Sequence, residues 1–173
     1  SWKWRGFNVR YQVLGEENAQ GPPVVFVHGL FVNADHWRRN LPAFANAGCR
    51  AYAIDLLGYG YSDKPDPMSL PQNSIYNFEN WARQLNAFIE EIVGEPAFIM
   101  CNSVGGVAGL QAAVDKPGSC RGVVCINPSL RGLHIKKQPE LSQPFVKILQ
   151  NTLRTSDVGQ KFSKNVARAE TVK

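Results

Sequence analysis

The sequence predicts an α/β fold, a mostly parallel sheet with helices on both faces, and three observations predict it. Four short runs, Val24 to Val27, Ala51 to Ile54, Ala97 to Met100 and Val123 to Ile126, are continuously apolar instead of alternating with polar residues. That is the pattern of strands covered on both sides. Helical spacing lies between them, and one run passes through a serine-bearing turn straight into an apolar helix. Strand alternating with helix is the order that lays strands parallel.

Each element follows from its residues. Trp2 to Arg5 and Phe7 to Val13 are rich in aromatic and β-branched side chains and break at Gly6, as a hairpin does. Phe78, Trp81, Leu85, Phe88, Ile89, Ile92 and Val93 recur at helical spacing, with Asn77 placed to cap the start and Gly94 just beyond the end. From Val104 to Asp115 the pattern is apolar nearly all round, through Val107, Ala108, Leu110, Ala112, Ala113 and Val114, which predicts a helix buried against the sheet. Lys116-Pro117-Gly118 ends it. Past Asn127-Pro128 no strand pattern returns, and weakly amphipathic helices carrying Phe145, Ile148, Leu149, Leu153, Val158 and Phe162 take over. The expected organisation is therefore a core over 1–127 and the first part of a helical lid over 128–173.

With 173 residues, 44% hydrophobic and 19% charged, the chain has the composition of a globular domain with a sizeable core, which removes disorder as the default. No run of 18 apolar residues could span a bilayer, and no charged region followed by an apolar one marks a leader. The opening at Ser1 and the polar ending at Lys173 suggest a processed or truncated product. Four cysteines, Cys49, Cys101, Cys120 and Cys125, have neither metal-binding spacing nor a disulfide framework. They read as reduced, buried thiols of an intracellular or organellar compartment. The net charge of +5 lies wholly in the last 46 residues, because residues 1–127 carry 10 Lys/Arg against 11 Asp/Glu. Phe145 and Phe162 are the only aromatic residues among those C-terminal basic residues, so nucleic acid is not the expected partner, and peripheral contact with an anionic membrane is the weaker alternative to a solvated face.

Met100-Cys101-Asn102-Ser103-Val104-Gly105-Gly106 follows a strand and opens a helix. A nucleophile elbow needs that context: a sharp turn lifts the serine oxygen clear of the sheet, and small neighbours two positions away on each side avoid collision. Gly105 meets the requirement, whereas Cys101 stands where G-x-S-x-G has glycine. The strand at Val24 ends in His28-Gly29-Leu30-Phe31, a loop able to aim a backbone N–H at the elbow as half of an oxyanion hole. His28 is expected to brace that loop rather than act as a base. Asp55, opening the Gly-rich turn Asp55-Leu-Leu-Gly58-Tyr-Gly60-Tyr-Ser62-Asp63-Lys64-Pro65, is expected to hydrogen-bond nearby amides.

The succession H-G-x-F, D-L-L-G-Y-G-Y-S-D-K-P and x-N-S-x-G-G resembles the α/β-hydrolase superfamily. Trp2-x-Trp4 with Val9-Arg10-Tyr11, Asp35-His36-Trp37-Arg38, Gln111-Ala112-Ala113 and Leu133-His134-Ile135-Lys136-Lys137-Gln138-Pro139 make it most similar to plant, algal and cyanobacterial chloroplast hydrolases related to pheophytinase and chlorophyll dephytylase. The resemblance implies an α/β-hydrolase fold lacking its C-terminal strands and part of its lid. It implies Ser103 as nucleophile and the N–H groups of Val104 and of Leu30 or Phe31 as the oxyanion hole. Cys101, Asn102, Gly105, Gly106, His28, Gly29 and Asp55 would be elbow and structural residues. Branches that attack with a carboxylate, for epoxide or haloalkane substrates, have aspartate where this chain has Ser103.

The expected activity is serine-dependent hydrolysis of carboxylic esters, small-molecule and apolar, long-chain or phytyl-type by resemblance, with no cofactor and no metal. A non-catalytic binding protein, or serine-dependent C–C hydrolysis or perhydrolysis, is the alternative. The triad acid and base follow later strands in this fold, and no His after residue 128 sits at a strand end: His134, only 31 residues past Ser103, falls in the lid segment. The compartment implied by resemblance is the chloroplast or another intracellular one.

Overall fold

The structure, a computed structural model, describes residues 1–16, 19–66 and 75–129. Contacts divide the chain into units Ser1–Pro128 and Ser129–Lys173. Apart from Ser129 the second unit lies outside the described residues, and with it the expected lid helices and His134.

Seven strands and three α-helices make up the described part: β1 Trp2–Trp4, β2 Phe7–Val9, β3 Tyr11–Leu14, β4 Val24–Val27, α1 Asn40–Asn46, β5 Ala51–Ile54, α2 Phe78–Phe88, β6 Ala97–Asn102, α3 Gly105–Asp115 and β7 Cys120–Ile126. The expected N-terminal hairpin forms between β1 and β2, turning at Arg5-Gly6. Its second run does not continue to Val13 as one strand. It divides at Arg10, and the remainder becomes β3, which joins the main sheet antiparallel to β5. The sheet order is β3-β5-β4-β6-β7, with β5, β4, β6 and β7 mutually parallel.

Alternation along the strands separates two cores. Val25, Val27, Tyr52, Ile54, Ile99 and Cys101 point to the face covered by α2 and α3. Val24, Phe26, Ala51 and Ala53 point to the other, against Trp37 and Leu41. Only β4 and β5 are buried along their whole length; in β6 buried and half-buried residues alternate, and β7 is nowhere fully buried. The expectation of two covered faces therefore holds for the first two strands alone. Among the described residues β7 is a sheet edge, and its Val124 is exposed.

The start of α2 matches its sequence signal: Asn77 is extended and its side chain accepts the N–H of Asn80 at 2.7 Å. The last turn, Ile89–Val93, widens into a π-helical turn closed by Gly94 in the left-handed region (φ 78°). Helix α3 departs from expectation. Gly105, Gly106, Ala108, Gly109 and Ala112 are buried, but Leu110 and Val114 face solvent, Val114 at 75% exposure. A single buried face suffices here, because small residues let the helix lie close to β6 and β7. Nor are the cysteines uniformly buried: Cys101 is, while Cys49, Cys120 and Cys125 are half-buried, all four as free thiols.

Candidate active site

Parallel strands bring their carboxyl ends to one edge, and there the backbone is strained. Among the described residues, four that are not glycine have positive φ: Arg5 in the hairpin turn, Phe31 (61°) after β4, Ser103 (52°) after β6 and Asn127 (45°) after β7. Left-handed backbone costs an L-residue of this kind roughly 1–2 kcal/mol, so it persists only where the surroundings impose it. Three of the four lie at neighbouring strand ends, and one of the three is the candidate nucleophile.

What imposes the conformation on Ser103 is legible around it. Its N–H donates to the Ile126 carbonyl of β7 at 3.0 Å, and its own carbonyl accepts from Gly106 N–H at 3.1 Å. Val104 stands at the N-cap of α3 without a side-chain cap, and its carbonyl accepts Val107 N–H at 3.0 Å. Gly105 packs on β4: a Cβ there would stand closer than 3.0 Å to the His28 carbonyl oxygen. Gly29 faces the elbow from β4's loop, where an added Cβ would lie 2.8 Å from Asn102 Oδ1 and 3.1 Å from Ser103 Cβ. Leu30 follows, half-buried, and then Phe31, exposed. Gly106 faces Pro128 and the Cys125 sulfur.

Cys101 occupies the elbow position usually held by glycine, and the space for its sulfur comes from a residue that the sequence reading passed over. Gly109, one turn into α3, packs directly on Cys101 Sγ: an added Cβ would be closer than 3.0 Å. A glycine in a helix interior costs about 1 kcal/mol relative to alanine, and that cost is the signal that could have flagged it. Burial in this apolar seam also raises the Cys101 thiol pKa far above its usual range, so the group is an inert filler.

His28 is fully buried with both ring nitrogens engaged. Nε2 accepts the Leu56 N–H at 3.0 Å, which leaves the proton on Nδ1 to donate to the Gly29 carbonyl at 2.7 Å. Burial lowers its pKa, outweighing the upward pull of that carbonyl and of Asp55. A ring so occupied fixes loop to loop and has no lone pair for a substrate proton. Asp55, also fully buried, accepts from Ala34 N–H through Oδ1 (2.6 Å) and from Tyr61 N–H through Oδ2 (2.7 Å), with Arg10 alongside. No group of three or more His, Cys, Asp or Glu among the described residues is placed to hold a metal ion, and no helix among them is long and apolar enough to cross a membrane.

Comparison with known proteins adds three findings. Residues 22–159 match the family described as alpha/beta hydrolase fold. Chloroplastic pheophytinase of Arabidopsis thaliana is 28% identical over 73% of this chain and 31% of its own length, and a haloalkane dehalogenase of Mesorhizobium japonicum is 30% identical over 85% and 44%. The crystal structure of an epoxide hydrolase from Vigna radiata superposes with a TM-score of 0.67 at 24% identity, covering 82% of this chain and 44% of that one, a likeness of fold. The chain thus spans less than half the length of each.

Proposed function

This chain belongs to the α/β hydrolase fold family, and from that premise we propose that it supplies the nucleophile-bearing part of a hydrolase that cleaves carboxylic esters through Ser103. The observation that carries the reading is the left-handed Ser103 between the end of β6 and the start of α3. Backbone strain at that point presents the side chain clear of the sheet edge.

Relatives named for other substrates are matched as well, and the chemistry of residue 103 separates the readings. A carboxylate that displaces halide or opens an epoxide forms an ester, which water can then cleave. A serine oxygen doing the same would form an ether, with no carbonyl for water to attack, and the enzyme would stop after one turnover. At an ester carbonyl the serine path closes. Ser103 Oγ adds to the carbonyl carbon while a base takes its proton, the tetrahedral oxyanion collapses with loss of the alcohol, and water releases the acid from the acyl-enzyme. The N–H groups of Val104 and of Leu30 or Phe31 are the proposed oxyanion donors. One such donor contributes about 3–4 kcal/mol to barrier lowering. The base is not His28, whose nitrogens are both occupied; it comes from outside the described residues.

The finer reading is an ester with a long apolar alcohol or acyl group, of the phytyl type, supported by the likeness to pheophytinase. Each further methylene buried is worth about 0.8 kcal/mol, so four of them would raise kcat/KM by roughly two orders of magnitude. A chain-length series of esters measures this directly, and a flat series would leave a short-chain esterase. For the nucleophile, a fluorophosphonate probe on the protein at its natural length should map to Ser103. Ser62 should stay unlabelled, since its buried Oγ accepts from Arg10 N–H and donates to the Asp55 carbonyl. An adduct on another serine, or none, would refute the assignment and favour a non-catalytic binder.

A further inference from the structure

We infer that Arg10 is a positioning residue for the proposed oxyanion loop, acting from a segment that precedes the region matched to the family. The inference rests on the hydrolase reading above, and its mechanical basis is independent of it. The match to the family spans residues 22–159, whereas β2 and β3 lie before it and the link between them contacts the loops that follow β4 and β5.

Arg10 lies in that link. Its Nη2 donates to Asp35 Oδ1 at 2.6 Å, Nη1 is 3.5 Å from Asp55 Oδ1, and the guanidinium lies over the Tyr61 ring at 5.0 Å. Its main chain is held as firmly. Arg10 N–H donates to Ser62 Oγ at 2.9 Å, and Arg10 carbonyl accepts Asp55 N–H at 2.9 Å. Gln12 Nε2 donates to the same Asp35 oxygen at 2.7 Å.

The two carboxylates serve the loop that carries Leu30 and Phe31. Asp55 Oδ1 accepts Ala34 N–H, three residues beyond Phe31, and Asp35 opens the helical turn Ala34–Trp37 that follows. One end of the loop is fixed by β4 and the pair Gly29 and His28, the other by Ala34 and Asp35, so the left-handed Phe31 is stretched between two anchors. Arg10 is the cation that both carboxylates of the second anchor face. Without it Asp55 would be a fully buried carboxylate with no cation within ion-pair distance among the described residues, a state that proteins relieve by moving the backbone or admitting water. Either response shifts Ala34 and the amides just before it. Charge alone is not the requirement, because the guanidinium reaches two carboxylates and stacks on a ring at once, a geometry that an ammonium group cannot reproduce.

The test uses Arg10→Met, which keeps the apolar stem without the charged head, and Arg10→Lys, in the protein at its natural length. In Arg10→Met, kcat on a short p-nitrophenyl ester should fall roughly 10- to 100-fold, less than outright removal of an oxyanion donor, with KM changed less than about twofold. Arg10→Lys should recover only part of the loss. Hydrogen exchange at the Ala34 and Tyr61 amides should quicken at least about tenfold in Arg10→Met while the β4 and β5 amides keep their protection. Exchange that is unchanged at Ala34 and Tyr61, or that quickens equally across the sheet, overturns the inference. So does wild-type kcat per labelled Ser103 in a folded Arg10→Met protein. Absence of Ser103-dependent turnover in the wild type refutes the hydrolase reading and the catalytic half of this inference together, and exchange still decides the mechanical half.

Discussion

Substituting Gly109 by alanine tests the seam under the elbow, because two opposing effects of known size meet there. A Cβ at 109 would stand closer than 3.0 Å to Cys101 Sγ, 3.3 Å from Ile99 Cγ2 and 3.7 Å from Val123 Cγ1. Comfortable contact lies at about 3.5–4.0 Å. The sulfur cannot swing aside, since Cys101 is fully buried between its register partners Val27 and Cys125. Helix α3 must lift instead, an overpacking cost of about 1–3 kcal/mol. Alanine in a helix interior returns about 1 kcal/mol over glycine, so Gly109→Ala alone should destabilise by roughly 0–2 kcal/mol, the two effects largely offsetting each other. In a Cys101→Gly background only the 3.3 Å approach to Ile99 Cγ2 remains, and the same change should stabilise by up to about 1 kcal/mol. The double-mutant cycle cancels the helix term and leaves the steric one, a coupling of about 1–3 kcal/mol. Urea melts of the four proteins measure it. A coupling under about 0.5 kcal/mol would mean that Gly109 is not what admits a cysteine at this position.

The remaining predictions concern the same strand ends. Gly105→Ala would drive a Cβ toward the backbone oxygens of His28 and Val27, which have no flexible side chain to yield, and should cost about 3 kcal/mol or abolish soluble protein in an expression trial. Ser103→Gly should be more stable than Ser103→Ala by roughly 0.5–1 kcal/mol in urea melts, because relief of left-handed strain exceeds the entropy glycine adds to the unfolded chain; equal stabilities would argue that the turn is not strained. For His28 the burial-lowered pKa means that the unfolded chain takes up a proton as pH falls below about 6.5 while the folded chain does not. Stability should therefore be full above that pH and decline below it, with a shallower decline in His28→Gln; identical pH profiles would show that the ring is not held neutral.

Local signals were legible in the sequence and relations between distant segments were not. Asn77 and Gly94 are caps whose chemistry acts within a few residues, and both stand where the sequence puts them. The runs at Val24 and Ala51 are buried strands as read. Leu110 and Val114 misled because hydrophobicity on a helix does not tell which neighbours are present, and the groove that seats α3 is made by glycines, which carry no hydropathic signal. Val13 misled in another way: nothing local marks Arg10 as the point where a strand leaves one sheet for another, since the partner of β3 is β5, about 40 residues away, and the carboxylates that Arg10 meets are 25 and 45 residues away. The same distance hid Arg10 from the reading of the site, whereas Gly109 lies only eight residues beyond Cys101 and was marked by its place inside a helix.

The order of strands in the sheet also bears on how the chain is made. β4 is the middle strand, with β5 on one side and β6 on the other. Its first parallel neighbour emerges soon after it, but β6 begins about 70 residues later in the sequence, a delay of roughly 4–14 s at translation rates of about 5–20 residues per second. For that interval the nascent chain carries Val24–Val27, four apolar residues with one open edge, the kind of surface that chaperones bind and that neighbouring polysomal chains pair with. Codon speed across residues 28–96, which changes no amino acid, thereby becomes a handle on yield: slower decoding there lengthens exposure of the strand from which the rest of the sheet is laid down.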